Sequence, residues 1–85
     1  MYYVYILKSL KDGKIYTGFS SNLKRRLSEH TQGIVKSTKN RRPLKLICYQ
    51  AFVSEIDAKN EEKYLKSGSK ARNALKLRIK ESLTR

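Results

Sequence analysis

The apolar residues of this chain change period as it proceeds. From Tyr2 to Leu7 they are β-branched or aromatic and suit a strand. Leu10-Lys11-Asp12-Gly13-Lys14 carries the Asp-Gly signal of a hairpin turn, and Ile15 to Phe19 reads as the returning strand. Ser20, Ser21 and Asn22 offer N-caps for a helix that runs to about His30. Thr31 to Pro43 is a polar, basic loop with Gly33 near its start, and Leu44 to Phe52 is a third, mostly apolar strand. Ser54, with Asp57 three positions on, opens a second helix for which Gly68 is a natural stop. Ala71, Leu75, Ile79 and Leu83 recur at four-residue steps, which predicts a single amphipathic third helix. The order ββαβαα predicts an α+β fold, a three-stranded, mostly antiparallel sheet flanked by three helices. No repeat or linker divides the 85 residues, so residues 1–85 are expected to form one domain.

Charge sharpens this picture. Twenty Lys and Arg oppose seven Asp and Glu, a formal net charge of +13. Such a chain repels itself and attracts polyanions, of which DNA and RNA are the commonest, because each neutralised phosphate releases a counterion. A hydrophobic content of 39% supports a small core and is too high for a disordered basic tail. No stretch approaches the roughly 18–20 apolar residues of a membrane-spanning helix. Met1 leads straight into the first strand, so no signal peptide is expected. Cys48 is the one cysteine, which leaves no disulfide partner and no Cys-based zinc site within the chain. Within the run Leu46 to Tyr49 it reads as a buried small hydrophobe, and the expected setting is cytoplasmic.

Candidate chemistry falls on the first two helices, the hairpin and the basic loop. In the first helix Leu23 and Leu27 mark the inward face, and at about 100° per residue Arg26 and His30 fall on the same side, while Arg25 points roughly away. An inward arginine needs an acceptor, either a carboxylate, carbonyls or a bound phosphate. His30 reads either as a charge favourable at a helix C-terminus or as a site residue. In the second helix Ala58 and Leu65 mark the inward stripe, with Glu62 between them and Glu61 at its edge. Glu62 can pair with Arg26 or hold a divalent cation. Tyr3 and Tyr5 share one face of the first strand, and Tyr16 lies across the hairpin. The loop residues Lys36, Ser37, Thr38, Lys39, Arg41 and Arg42 have the composition of a phosphate-contacting surface, or of a solvated loop.

Together these residues resemble the GIY-YIG nuclease superfamily, particularly its small stand-alone bacterial members. Tyr3-Val4-Tyr5 stands in the place of the first triplet and Tyr16-Thr17-Gly18 in that of the second. Tyr3 replaces a glycine and Thr17 an isoleucine. Arg26 and His30, four apart, follow as in the family's helix, Ser37-Thr38 and Arg41-Arg42-Pro43-Leu44 resemble its loop and third strand, and Ala58 with Glu62 to Lys66 resembles its metal-binding helix. The resemblance spans about residues 2 to 80.

It implies hydrolysis of DNA phosphodiesters. Tyr5 would be the general base or orient the water, and Tyr16 would hydrogen-bond near the scissile phosphate. Arg26 would stabilise charge on the phosphate oxygens, His30 would assist proton transfer, and Glu62 would hold one Mg²⁺ or Mn²⁺. Some members carry a late active-site asparagine, for which Asn73 is the only candidate here. Family nucleases often append a DNA-binding domain. Without one, recognition of DNA, branched or single-stranded ends included, falls to the chain's own charge or to a partner protein. Two other readings use the same charge: a non-catalytic nucleic-acid-binding module that keeps the fold, and a ribosome-associated protein that binds RNA by shape. The complete set of Tyr5, Tyr16, Arg26 and Glu62 favours the enzyme over both.

Overall fold

The computed structural model describes all of residues 1–85. Its centre is β1 (Tyr2–Ser9), flanked by β2 (Ile15–Ser20) and β3 (Leu44–Phe52) in the order β2-β1-β3, with both pairings antiparallel. As the middle strand, β1 is covered on both faces, so Val4, Tyr5, Ile6 and Leu7 are buried in succession. Val4 and Ile6 face a core made with Ala58, Leu65 and Leu75. Tyr5, Leu7 and Ser9 face the opposite side. Between Ile6 and Leu7 the β1–β3 register slips, so that Ile47 is an extra residue on β3. This bulge lets both Ile47 and Cys48 pack against the core, and Cys48 is half-buried there.

Helix α1 (Leu23–Gln32) begins at Asn22, whose side chain accepts from the Arg25 N–H. It ends at Gly33, whose left-handed conformation lets its N–H reach the carbonyls of Glu29 and His30. Helix α2 (Glu55–Leu65) is capped by Ser54, which accepts from the Asp57 N–H, as the sequence predicts. Its end differs from prediction. The Ser67 hydroxyl and N–H both take the Tyr64 carbonyl, at 2.6 and 3.0 Å, and close the helix ahead of Gly68. Gly68 precedes α3 (Ser69–Arg78).

The tail corrects a second expectation. It is not one helix: Ile79 leaves helical geometry, and a short α4 (Lys80–Leu83) follows. Ile79 packs on the core, and the break turns the chain so that Lys8 Nζ donates to the Leu83 carbonyl at 3.0 Å. The three-stranded antiparallel sheet with flanking helices is otherwise the architecture expected. The loop after α1 contains a 3-10 turn at Lys39–Arg41 and is anchored by two buried side chains, Val35 and Thr38.

Candidate active site

The face of the sheet opposite the main core carries Tyr5 and Tyr16. In the hairpin register Tyr5 pairs with Gly18 and Leu7 with Tyr16, which puts the two phenols on one side. Gly18 is required there. A Cβ would lie 2.3 Å from Tyr5 Cζ and 2.4 Å from its hydroxyl. The phenol of Tyr5 therefore lies against the β2 backbone at Gly18, out of contact with solvent.

Over this face α1 lowers His30, the one buried residue of that helix. Its Nε2 lies 2.8 Å from Tyr5 Oη, and its Nδ1 lies 2.7 Å from Thr38 Oγ1. The imidazole sits edge-on to both phenols, with ring centroids 5.6 Å from Tyr5 and 5.4 Å from Tyr16. The Arg26 guanidinium lies near enough to the Tyr5 oxygen that its charge favours the phenolate form. Nε2 is placed to accept the Tyr5 proton in the tautomer whose Nδ1–H donates to Thr38.

The electrostatics agree with that assignment. Burial pushes the Tyr5 phenol up to about 12, against the opposing pull of Arg26. Burial, with the Arg26 charge behind it, holds His30 below the usual histidine value. At neutral pH both groups are uncharged. The reading of His30 as a charge at a helix C-terminus is corrected accordingly.

Arg26 lies at the opening of this arrangement. Its Nη1 donates to Glu29 at 3.1 Å, and 37% of its side chain is exposed. The inward arginine thus has its acceptor in Glu29 of its own helix, and not in Glu62, which pairs with Lys66. The Glu29 hydrogen bond, with Tyr5 behind it, further favours the charged guanidinium.

Glu62 comes to the site from α2, near enough that its charge opposes ionisation of Tyr5. It accepts from Lys66 Nζ at 2.9 Å, one turn on, and Lys66 also lies 5.8 Å from the centre of the Tyr16 ring. No cluster of three or more acids, histidines or cysteines accompanies Glu62. A hard cation such as Mg²⁺ fits such a site, because it keeps several waters and takes one or two carboxylates together with substrate phosphates.

The loop residues predicted to touch nucleic acid divide. Lys36, Ser37, Lys39 and Arg42 are exposed. Ser37 Oγ lies 3.4 Å from Tyr16 Oη, which brings this loop to the rim of the site. Thr38 is a correction: it is fully buried and given over to His30, so it is unavailable to a phosphate. Arg41 is half-buried and paired with Asp12 at 3.3 Å, tying the loop to the hairpin turn. Arg42 donates to the Thr31 and Lys39 carbonyls while remaining exposed. Asn73 is exposed on α3 and lines none of the clefts beside Tyr16.

Two cations that sequence reasoning passed over are Lys66 and Arg72. With Tyr16, Thr17, Ile15 and Leu65 they line a cleft of about 230 Å³. Arg72 is one residue after the apolar Ala71 of α3, a position on the helix flank that periodicity alone does not distinguish from solvent.

A hairpin that sets Tyr5 of one strand and Tyr16 of the other in one site, joined to a helix that supplies arginine and histidine, defines the class of protein to which this chain is related. The sequence matches the GIY-YIG catalytic domain over residues 1–76, and the chain belongs to that family. Relatives include the UPF0213 protein CPE1444 of Clostridium perfringens, 42% identical over 67 residues, covering 78% of this chain and 71% of that one. The UPF0213 protein NP_0776A of Natronomonas pharaonis is 39% identical over 72 residues, covering 84% of each. The solution NMR structure of the UPF0213 protein BH0048 from Bacillus halodurans superposes with a TM-score of 0.58 at 35% identity, covering 94% of this chain and 86% of that one. No helix is long and apolar enough to cross a membrane.

Proposed function

We propose that this protein is a metal-dependent DNA endonuclease that hydrolyses phosphodiester bonds, with Tyr5, Tyr16, Arg26, His30 and Glu62 as its site. The observation that carries this reading is the hydrogen-bonded series Tyr5–His30–Thr38 beside Arg26. A purely structural tyrosine does not need a buried imidazole on its hydroxyl and an arginine charge beside it.

In this mechanism Arg26 leaves Glu29 for the incoming phosphate, where it meets the charge that grows on the non-bridging oxygens. Its departure uncovers the Tyr5 hydroxyl. A phenol at about 12 is a weak source of phenolate, so Tyr5 acts as a relay. It takes a proton from the attacking water as its own proton passes to His30 Nε2, and the hydroxide forms the new bond to phosphorus. The bond from phosphorus to the leaving sugar oxygen breaks, and that oxygen takes a proton from solvent. The proton held on His30 returns to water after product departs. Tyr16, with its hydroxyl on the open side near Ser37, orients the phosphate. Glu62, once released from Lys66, would hold one Mg²⁺ or Mn²⁺, which polarises the phosphate and stabilises the leaving oxygen. Lys36, Ser37, Lys39 and Arg42 supply backbone contacts to DNA.

The test incubates wild type and Glu62→Ala with single-stranded, duplex, flap and branched DNA in Mg²⁺, Mn²⁺ or EDTA. Wild type is expected to cut in metal and not in EDTA, and the variant to lose about 10²-fold or more, the equivalent of several kcal/mol of charge stabilisation. If wild type cuts none of these substrates and both proteins keep salt-sensitive binding, the chain is a non-catalytic binding module.

A further inference from the structure

A second concavity opens on the same sheet face, on the other side of Tyr5. It is walled by Tyr3 of β1, Tyr49 of β3, and Leu23 and Leu27 of α1, with Asn22 and Lys24 at its rim, and it holds about 410 Å³. Tyr3 lies two residues before Tyr5 on β1, and Tyr49 stands opposite Tyr5 in the β1–β3 register. Both rings are therefore on the catalytic face. They meet edge to face, with centroids 6.0 Å apart at 65°. Tyr49 is 54% exposed, a large area for an aromatic ring. Arg26, the proposed phosphate contact, lies between Leu23 and Leu27 on α1.

We infer that this pocket is a nucleobase subsite, in which an unpaired base beside the scissile phosphate stacks on Tyr49. The inference rests on the nuclease reading only in taking DNA to lie on this face. Three features select a base over other occupants. The walls are aromatic and aliphatic, which suits a flat ring of any identity. Asn22 spends its side-chain oxygen on the Arg25 N–H, so its amide NH₂ is left to donate to a base edge, and no acidic side chain lines the pocket. A second copy of this chain is disfavoured by its charge of +13, whereas a phosphodiester strand is drawn to it. A base paired in a duplex cannot enter without leaving its stack. The substrate so defined has at least one unpaired nucleotide next to the cut, as in a single strand, a flap or a branch point.

The experiment is a binding cycle in EDTA, where no strand is cut. Anisotropy of a labelled strand of about 12 nucleotides is compared with that of the same sequence as a blunt duplex and with strands carrying one abasic site, walked position by position. Tyr49→Ala is expected to weaken single-strand binding by about 5- to 100-fold, Tyr49→Phe and duplex binding by less than about twofold. In wild type one abasic position should reproduce the loss, and in Tyr49→Ala that same position should cost nothing further. Equal loss on duplex and single strand, or additive losses from abasic site and substitution, overturns the proposal. So does a change in sedimentation of Tyr49→Ala with unchanged DNA affinity, which would make the face a self-association surface. A wild type that cuts nothing in metal but passes this cycle would defeat the nuclease reading and leave the subsite standing.

Discussion

Gly18 and Tyr5 occupy one another's space. The glycine exists so that a phenol can cross the neighbouring strand, and any Cβ would collide with Tyr5 at 2.3 Å. Because the group in the way is a ring sealed beneath His30, it has no open side into which to retreat. Gly18→Ala is therefore expected to destabilise the fold by about 1–3 kcal/mol, as overpacking does, and to lower cleavage further than the lost stability explains. Urea unfolding and cleavage rates at a temperature where the variant is fully folded check both parts. Unchanged stability would mean that Tyr5 is free to move. At this scale the sequence was informative where geometry is regular. The helical wheel brings Arg26 and His30 to the side facing the tyrosines, and strand alternation puts Tyr3 and Tyr5 on one face. The burial of Thr38 is not legible in the sequence, because a loop has no period from which burial can be read. Its neighbours are lysines and serine, and only the fold reveals that it serves His30.

Three elements are joined at His30. The imidazole links β1 through Tyr5, α1 through its own backbone, and the loop after α1 through Thr38. Their docking therefore depends on one neutral ring. Its pKa in the folded protein lies below the ordinary value of 6.5, chiefly through burial. In the unfolded chain the proton binds more readily, so folding is opposed wherever the unfolded histidine is charged and the folded one is not. The stability that neutral His30 contributes is complete above about 6.5 and is lost as pH falls through the folded value. Urea midpoints measured from about pH 8 down to about pH 5 should be level and then decline, and His30→Gln should flatten the upper part of that decline. A decline of the same shape in the variant would assign it to carboxylates. Element boundaries were legible wherever a cap announces them, as Asn22 and Ser54 do. The break at Ile79 was not, because the four-residue apolar step continues through it and the turn is imposed by the core and by Lys8 holding the Leu83 carbonyl.

Charge acts over the whole molecule, and its distribution is uneven. Of the seven acids, Glu55, Asp57, Glu61 and Glu62 lie on α2, while the loop between α1 and β3 carries Lys36, Lys39, Arg41 and Arg42 with no acid among them. A phosphodiester strand laid across the site meets that loop at Ser37, next to Tyr16. Free cations there should release counterions on binding, and engaged ones should not. Lys36 and Lys39 are exposed, with no acid paired to either, whereas Arg41 is tied to Asp12. In plots of log K against log salt for duplex DNA, each phosphate contact contributes a slope of about −0.9. Lys36→Ala with Lys39→Ala is expected to make the slope shallower by about 1.8. Arg41→Ala should change it by much less and instead loosen the hairpin turn, where its guanidinium also meets Asp12 in place of DNA. An equal change for Arg41 would mean that the Asp12 pair opens on binding. No change for the lysine pair would move the strand off this loop and toward the Lys66 and Arg72 cleft on the other side of Tyr16, where the same slope measurement on those two cations would find it.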